Sequence, residues 1–472
     1  MSVIYNVGET KKRPGIYRRH SNIGLTSLAG GQDGICAIPV KAEWGPLGVV
    51  VRNTQSSNLT DTYGTGAYDS TKYTVPAAEA MFKGGASTVY TYRLGTGGKA
   101  GELKLGDDIT ITAKYPGAMA ISVAVQKKLG DDKTKQFLVY TGSTLVEKFE
   151  FAADTQNEGE NLKAAVASSA YIIATGSATT VAELAVASGA LAGGENPSVT
   201  NVDYSKAFAA LESYYYNTIA LDIDDDENMT YSKLLKIYFD GAYKLGKLGI
   251  AVVGQKSTVA FATRCANAKS FNDEKVVFLG GGYKAGTENK DGVLSICYTA
   301  GVIAATPSNQ GITHTTIGEA TELCESLTFA QYEEAIDAGM LVLSVASDGS
   351  IWYDSGINTL TKLDETQDEG WKKIRRVKVR HEMIDRLDRA LAPKVGKVSA
   401  DSDGIADIVQ TAQRVLDSMS NNEGKLQPGA SFVEDPSNPY SGDSAWFLIQ
   451  ADDIDSLEKI YMHYQFRYSQ NV

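Results

Sequence analysis

Apolar and polar positions alternate most cleanly at the end of the chain. Ile460, Met462, Tyr464, Phe466 and Tyr468 fall on one face, and Tyr461, His463, Gln465 and Arg467 on the other. Period two with this aromatic content predicts a strand over 460–468. A shorter alternation of Val3, Tyr5 and Val7 opens the chain, before a basic stretch with Lys11, Lys12, Arg13, Arg18 and Arg19 broken at Pro14. It predicts an extended arm. Chain ends fray unless held, and an open aromatic edge invites pairing with another chain, so both ends read as segments awaiting a partner.

Between the ends the period changes repeatedly. "ICAIPVKAEWGPLGVVV" (35–51) and "AAEAMFKGGASTVYTYRL" (77–94) predict a strand, a turn at Gly45-Pro46, a strand, a helix and a strand. Two alternating stretches follow, 107–126 and 135–151, separated by the turn-prone "KKLGDDKT". They predict a small β-rich insertion, with a helix near 158–168 and a Gly/Ala/Ser-rich loop over 174–195. From about 203 strands and helices alternate: strands at 217–223, 249–254, 276–280 and 341–346, and helices at 291–305 and 328–338. Tyr231, Leu234, Leu235, Tyr238, Phe239 and Ala242 make the stripe of another helix, and 291–305 is apolar enough to be buried. Helices over 370–391 and 402–420 precede a β segment at 444–451. The expected fold is α/β and multidomain. It has an α/β core with a mixed, largely parallel sheet, a β-rich insertion domain, and extended N- and C-terminal arms.

The composition fits that picture and narrows the function. With 472 residues, 43% hydrophobic and 22% charged, the chain can bury several cores. A net charge of −12 argues against a general nucleic-acid binder, which needs Lys and Arg to neutralise phosphates. Cys36, Cys265, Cys297 and Cys324 form no CxxC pair, so neither a zinc site nor a disulfide framework is signalled. The 25 tyrosines suit extensive protein interfaces, although β-rich surfaces alone would account for them. The opening "MSVIYNVGETKKRPG" lacks an apolar signal core, and no segment reaches about 18 uninterrupted apolar residues. No direct membrane insertion is expected.

Three stretches and the histidines carry residue types that could do chemistry. "DIDDDENMT" (222–230) places Asp222, Asp224 and Asp226 at alternate positions, but Glu227 stands where a calcium loop needs Gly and Lys233 where it needs Glu. It reads as a solvated acidic turn leading into a helix N-terminus, with its negative charge favourably placed at the dipole. "FLGGGYKAG" (278–286) follows a strand yet matches neither phosphate-loop spacing, and Ala285 follows Lys284 where a hydroxyl is required. A tight turn is the simpler reading. His20, His314, His381 and His463 are scattered, and no GxSxG occurs. The basic run "WKKIRRVKVRHEMIDRLDR" (371–389) reads first as a solvated helix face and second as a surface for an acidic partner. No catalytic, cofactor or metal site is expected.

Six stretches in order resemble one family: "IPVKAEWGPLGVV" (38–50), "FKGGASTVYTYRL" (82–94), "AKYPGAMAISVAV" (113–125), "SGINTL" (355–360), "VGKVSADSDGIADI" (395–408) and "DSLEKIYMHYQF" (455–466). The chain is identified by them as similar to the tail sheath proteins of contractile phage tails and phage-tail-like bacteriocins. One departure is Met119-Ala120, where such sheaths often carry Gly-Asn after "YPG". The resemblance implies a structural protein that stacks in rings around an inner tail tube and contracts to drive it through a target envelope. Its implied partners are itself, the tube protein, the baseplate and the tail terminator. Assembly in the host bacterial cytoplasm is implied, followed by residence in a virion tail or tailocin.

In the same terms the chain divides into an N-terminal linking arm (1–20), an N-terminal α/β part (21–100) and an outward-facing insertion domain (101–200). An α/β sheath core (201–345), a tube-proximal C-terminal domain (346–457) and a linking strand (458–472) follow. Val3, Tyr5, Val7, Ile460, Tyr461, Met462, Tyr464, Phe466 and Tyr468 become linking residues that add strands to neighbouring subunits. Lys372, Lys373, Arg375 and Arg376 become candidate contacts to the tube or a neighbour. The alternative, from another class, is an α/β enzyme binding a nucleotide at 278–286.

Overall fold

A computed structural model describes residues 3–4, 17–18, 33–105, 108–153 and 156–466. Tyr5, Val7 and Tyr468 lie outside the described residues. The chain divides into two compact units, one of Gln32–His381 with Ile454–Val472, the other of Met1–Gly31 with Glu382–Asp453.

The larger unit is organised by seven strands in the order Met340–Leu341, Val276–Gly280, Ile250–Gln255, Thr218–Ala220, Ile35–Val40, Thr88–Arg93 and Val50–Asn53. All pairs are parallel except the last, where Val50–Asn53 runs antiparallel to Thr88–Arg93. Because side chains alternate across a sheet, consecutive residues of one strand serve different cores. Ile250 and Val252 pack with helices Val75–Lys83 and Val293–Ala305, whereas Ala251 and Val253 pack with Asn201–Leu211, Thr230–Lys244 and Phe261–Phe271. Both faces are therefore covered, as a parallel sheet requires. The stripe read over 231–242 buries Leu235, Phe239 and Ala242, and Val293–Ala305 is buried almost all round.

Residues 21–100 and 201–345 are separate stretches of sequence, but they share this sheet: Thr218–Ala220 pairs on one side with Ile250–Gln255 and on the other with Ile35–Val40. A strand's own pattern records that it is buried, not which distant strand adjoins it. Many tyrosines are core residues with satisfied hydroxyls. Tyr204 donates to Asp222 Oδ1 at 2.6 Å and Tyr283 to Glu319 Oε1 at 2.6 Å.

The β-rich insertion has two antiparallel three-stranded sheets. Glu102–Leu105, Ile109–Ala113 and Ile172–Gly176 form one; Ile121–Lys128, Asp131–Thr141 and Thr144–Ala152 form the other. Ile111, Val123, Phe137 and Val139 lie in their shared core with helix Glu158–Val166. The stretch over 174–195 is mostly irregular but is bridged to these strands at Leu184–Val125, Ala190–Ser122 and Ala192–Glu102.

In the smaller unit, helix Ser402–Asp417 adjoins the antiparallel pair Ser431–Glu434 and Phe447–Gln450. Gln413 caps one edge of that pair, accepting from Phe432 N at 3.0 Å and donating to Ala430 O at 2.9 Å. Glu382, Arg386, Glu423 and Lys425 form a closed ring of opposite charges beside them. At the N-terminus Val3–Ile4 pairs in parallel with Tyr17–Arg18.

Candidate functional site

The terminal segment carries a cluster of exposed apolar side chains. Ile460, Tyr461, Met462, Tyr464 and Phe466 are 68% to 90% exposed and belong to no strand. The sequence predicted a strand here, and within a single chain the described residues do not form one. Alternation decides which side each residue takes, but a strand also needs an edge to bond to. The alternation survives locally: the rings of Tyr464 and Phe466, two residues apart, stack at 6.4 Å and 14°. Five large apolar side chains are thus exposed together on one short segment.

Just before this segment the chain is tied down. Lys373 Nζ lies 2.9 Å from Asp455 Oδ2 and 3.0 Å from Glu458 Oε2. Thr313 Oγ1 donates to Glu458 Oε1 at 3.1 Å, and Arg375 Nη1 to Ser456 Oγ at 3.1 Å. The basic run therefore meets acidic residues of its own chain. Lys372 pairs with Glu369 at 2.8 Å, and Arg376 with Asp368 at 3.3 Å. Lys378 Nζ donates to Ile303 O at 2.6 Å and to Thr306 O, at the C-terminal end of helix Val293–Ala305, where a cation is favoured. Arg380 lies 3.8 Å over the Trp371 ring. The first reading of this run, a solvated helix face, gives way to a largely internal role. Sequence reasoning missed Asp455, Ser456, Glu458 and Thr313. The available signal was the acidic "DDIDSLE" (452–458) directly before the aromatic alternation, matching in charge the "KKIRR" it meets.

The other candidate stretches are committed to the fold. Asp222 is buried and accepts from Thr74 and Tyr204. Asp224 pairs with Lys256 at 2.8 Å, and Asp225 accepts from Tyr231 N and Ser232 N at the start of helix Thr230–Lys244. The Asp226 carboxyl is held below its ordinary value mainly by the Thr230 hydroxyl. Asp225 and Asp226 serve the helix start as expected, but the turn is not solvated throughout, because Asp222 is drawn into the core by Thr74 and Tyr204. In the glycine-rich turn, a Cβ on Gly280 would sit 2.3 Å from Met340 Sδ and one on Gly282 2.3 Å from Lys290 O. These glycines permit close packing, which accounts for them without a phosphate. Among the described residues no group of three or more His, Cys, Asp or Glu is placed to hold a metal, and no helix is long and apolar enough to cross a membrane.

Residues 198–358 match the phage tail sheath protein central domain. Over 97% of this chain and 98% of the other, the sequence is 22% identical to the phage-like element PBSX protein XkdK of Bacillus subtilis. A sheath tail protein of Desulfitobacterium hafniense superimposes with a TM-score of 0.71 at 20% identity, covering 93% of this chain and all of that one. The helical sheath of the anti-feeding prophage in its contracted state superimposes at 0.53 with 11% identity, over 97% of this chain and 99% of that chain. The resemblance to tail sheaths read from six short stretches thus extends to the central domain and to the fold.

Proposed function

We propose that this chain is the subunit of a contractile tail sheath, stacking in rings around an inner tail tube and contracting to drive that tube through a target envelope. The observation that carries the reading is the exposed aromatic arm, rooted by ion pairs, on a chain whose centre matches a sheath domain. The protein works as structure, not as an enzyme. The arm would add a strand to the neighbouring copy at Phe447–Gln450, whose outer edge has no strand partner among the described residues, whereas Gln413 occupies the other side of the pair. Each main-chain bond contributes only about 1 kcal/mol net, but repetition through a lattice makes a link that survives movement of the bodies it joins.

The insertion domain would point outward and the stretch 346–457 toward the tube. The pairs Lys372–Glu369 and Arg376–Asp368 present exposed carboxylates that offer mixed charge to the tube or a neighbour. Baseplate and terminator would close the two ends. Assembly would take place in the bacterial cytoplasm, and the finished sheath would reside in a virion tail or a tailocin.

Negative-stain micrographs of the purified chain across a concentration series, with and without tube protein, test the reading. Tubes with helical order are expected. Small dispersed particles under every condition would overturn it.

A further inference from the structure

The arm does not begin where the fold ends by default. Among the described residues, attachments of the last segment to the larger unit converge on 455–458: Lys373 to Asp455 and Glu458, Arg375 to Ser456, Thr313 to Glu458. Beyond them every described residue from Lys459 onward is exposed. The attaching side is packed into the core. Ile312 and Ile374, next to Thr313 and Lys373 in sequence, are each 2% exposed and belong to one core cluster. Gly356 N donates to Thr313 Oγ1 at 2.9 Å, and Ile374 N to Gly356 O at 3.1 Å, binding the two anchors to one backbone frame. The chain also passes closely over Gly311, where a Cβ would lie 3.0 Å from Ser456 Oγ.

We propose that Lys373, gripping Asp455 and Glu458, is the positioning residue of the arm: it sets the point and direction at which the linking segment leaves the body. Its consequence for assembly rests on the sheath reading above; its consequence for the free chain does not. Side-chain exposures of 23%, 37% and 20% for Lys373, Asp455 and Glu458 place the pairs between surface and core, where charge-assisted bonds hold better than on an open surface. Burial lowers the proton affinity of Lys373, but the two carboxylates more than restore it, so the amine stays charged. A flexible root would let the arm sample many directions, and each ordered residue then carries an entropic cost when the link forms. A fixed root removes part of that cost beforehand.

Hydrogen exchange on the full, unassembled chain tests the clamp directly. In Lys373→Ala the amides of Asp455–Glu458 should exchange about tenfold faster, while Ile250–Gln255 keeps its protection. Glu458→Gln, which leaves the side chains of the body intact, should loosen the same segment, and Lys373→Arg should not. The charge reversal Lys373→Glu with Asp455→Lys and Glu458→Lys should restore protection. Unchanged exchange at the root in both Lys373→Ala and Glu458→Gln would overturn the proposal. In assembly, Lys373→Ala should give fewer and shorter tubes, and the reversal should restore them. A chain lacking Lys459–Val472 separates the two ideas. If it assembles normally, the linking role of the arm fails while the exchange result still decides the clamp. If it fails to assemble but Lys373→Ala, with a loosened root, assembles normally, the positioning role alone is wrong.

Discussion

Arg386 holds Glu423 with two hydrogen bonds, Nη1 to Oε1 at 2.6 Å and Nη2 to Oε2 at 2.7 Å. The parallel pairing fits the planar guanidinium to the carboxylate. Burial pushes the Glu423 carboxyl up, but hydrogen bonds from Arg386 and Lys425 and their charges outweigh it and hold the pKa at about 2. A carboxyl lowered on folding contributes stability above its ordinary 4.5, and that contribution is lost as pH falls through about 2. Glu423→Gln should therefore lower stability at neutral pH in urea unfolding, by about 1–2 kcal/mol once solvent screening of this partly exposed pair is discounted. It should also flatten the acid limb below 4.5, the ordinary value of this carboxyl.

His381 behaves differently because its partly buried ring is held in the neutral form. Burial first, then the charges of Lys275 and Arg380, lower its pKa to about 3. Its Nε2 sits 3.4 Å from Tyr243 Oη. The unfolded chain takes up a proton near 6.5 that the folded chain refuses, so stability is full above 6.5 and falls progressively toward 3. In His381→Asn, melting temperatures recorded across this window should vary less with pH than in the unaltered protein.

Arg93 is fully buried and donates to three carbonyls, Ala42 O at 3.0 Å, Gly45 O at 2.7 Å and Pro116 O at 2.8 Å. It joins the end of strand Thr88–Arg93 to the entry of the insertion domain. Arg93→Met keeps much of the apolar stem but leaves all three acceptors unpaired, at a cost of about 3 kcal/mol in denaturant unfolding. Exchange should rise at Gly45 and Gly117, which flank those carbonyls, before it rises in the sheet.

Gly280 ends a strand where its neighbour Met340 leaves no room: a Cβ added there would stand 2.3 Å from Sδ and 2.7 Å from Cγ of that side chain. Gly280→Ala should cost about 1–3 kcal/mol by overpacking. Adding Met340→Ala should recover part of that loss, giving a coupling of about 1 kcal/mol in a double-mutant cycle. Purely additive effects would show that the glycine serves the backbone rather than this packing.

Elements whose evidence is local were legible in the sequence. The continuous apolar run in Ile250–Gln255, the stripe from Tyr231 to Ala242, the apolar helix Val293–Ala305 and the alternation at 460–466 follow from each segment's own geometry. The terminal alternation named a strand whose bonding partner its own described chain does not supply, because period two encodes faces and not edges.

What only tertiary structure decided is which distant segments meet. Ile35–Val40 lies beside Thr218–Ala220, and Lys373 beside Asp455, across long intervals of chain. Both juxtapositions depend on loop closure and on the summed packing of everything between, and neither leaves a period to read. The basic run was visible as charge, but charge has no address until the backbone brings a partner within reach. The sequence determined that a cationic helix and an aromatic arm exist. The fold decided that the first holds the root of the second.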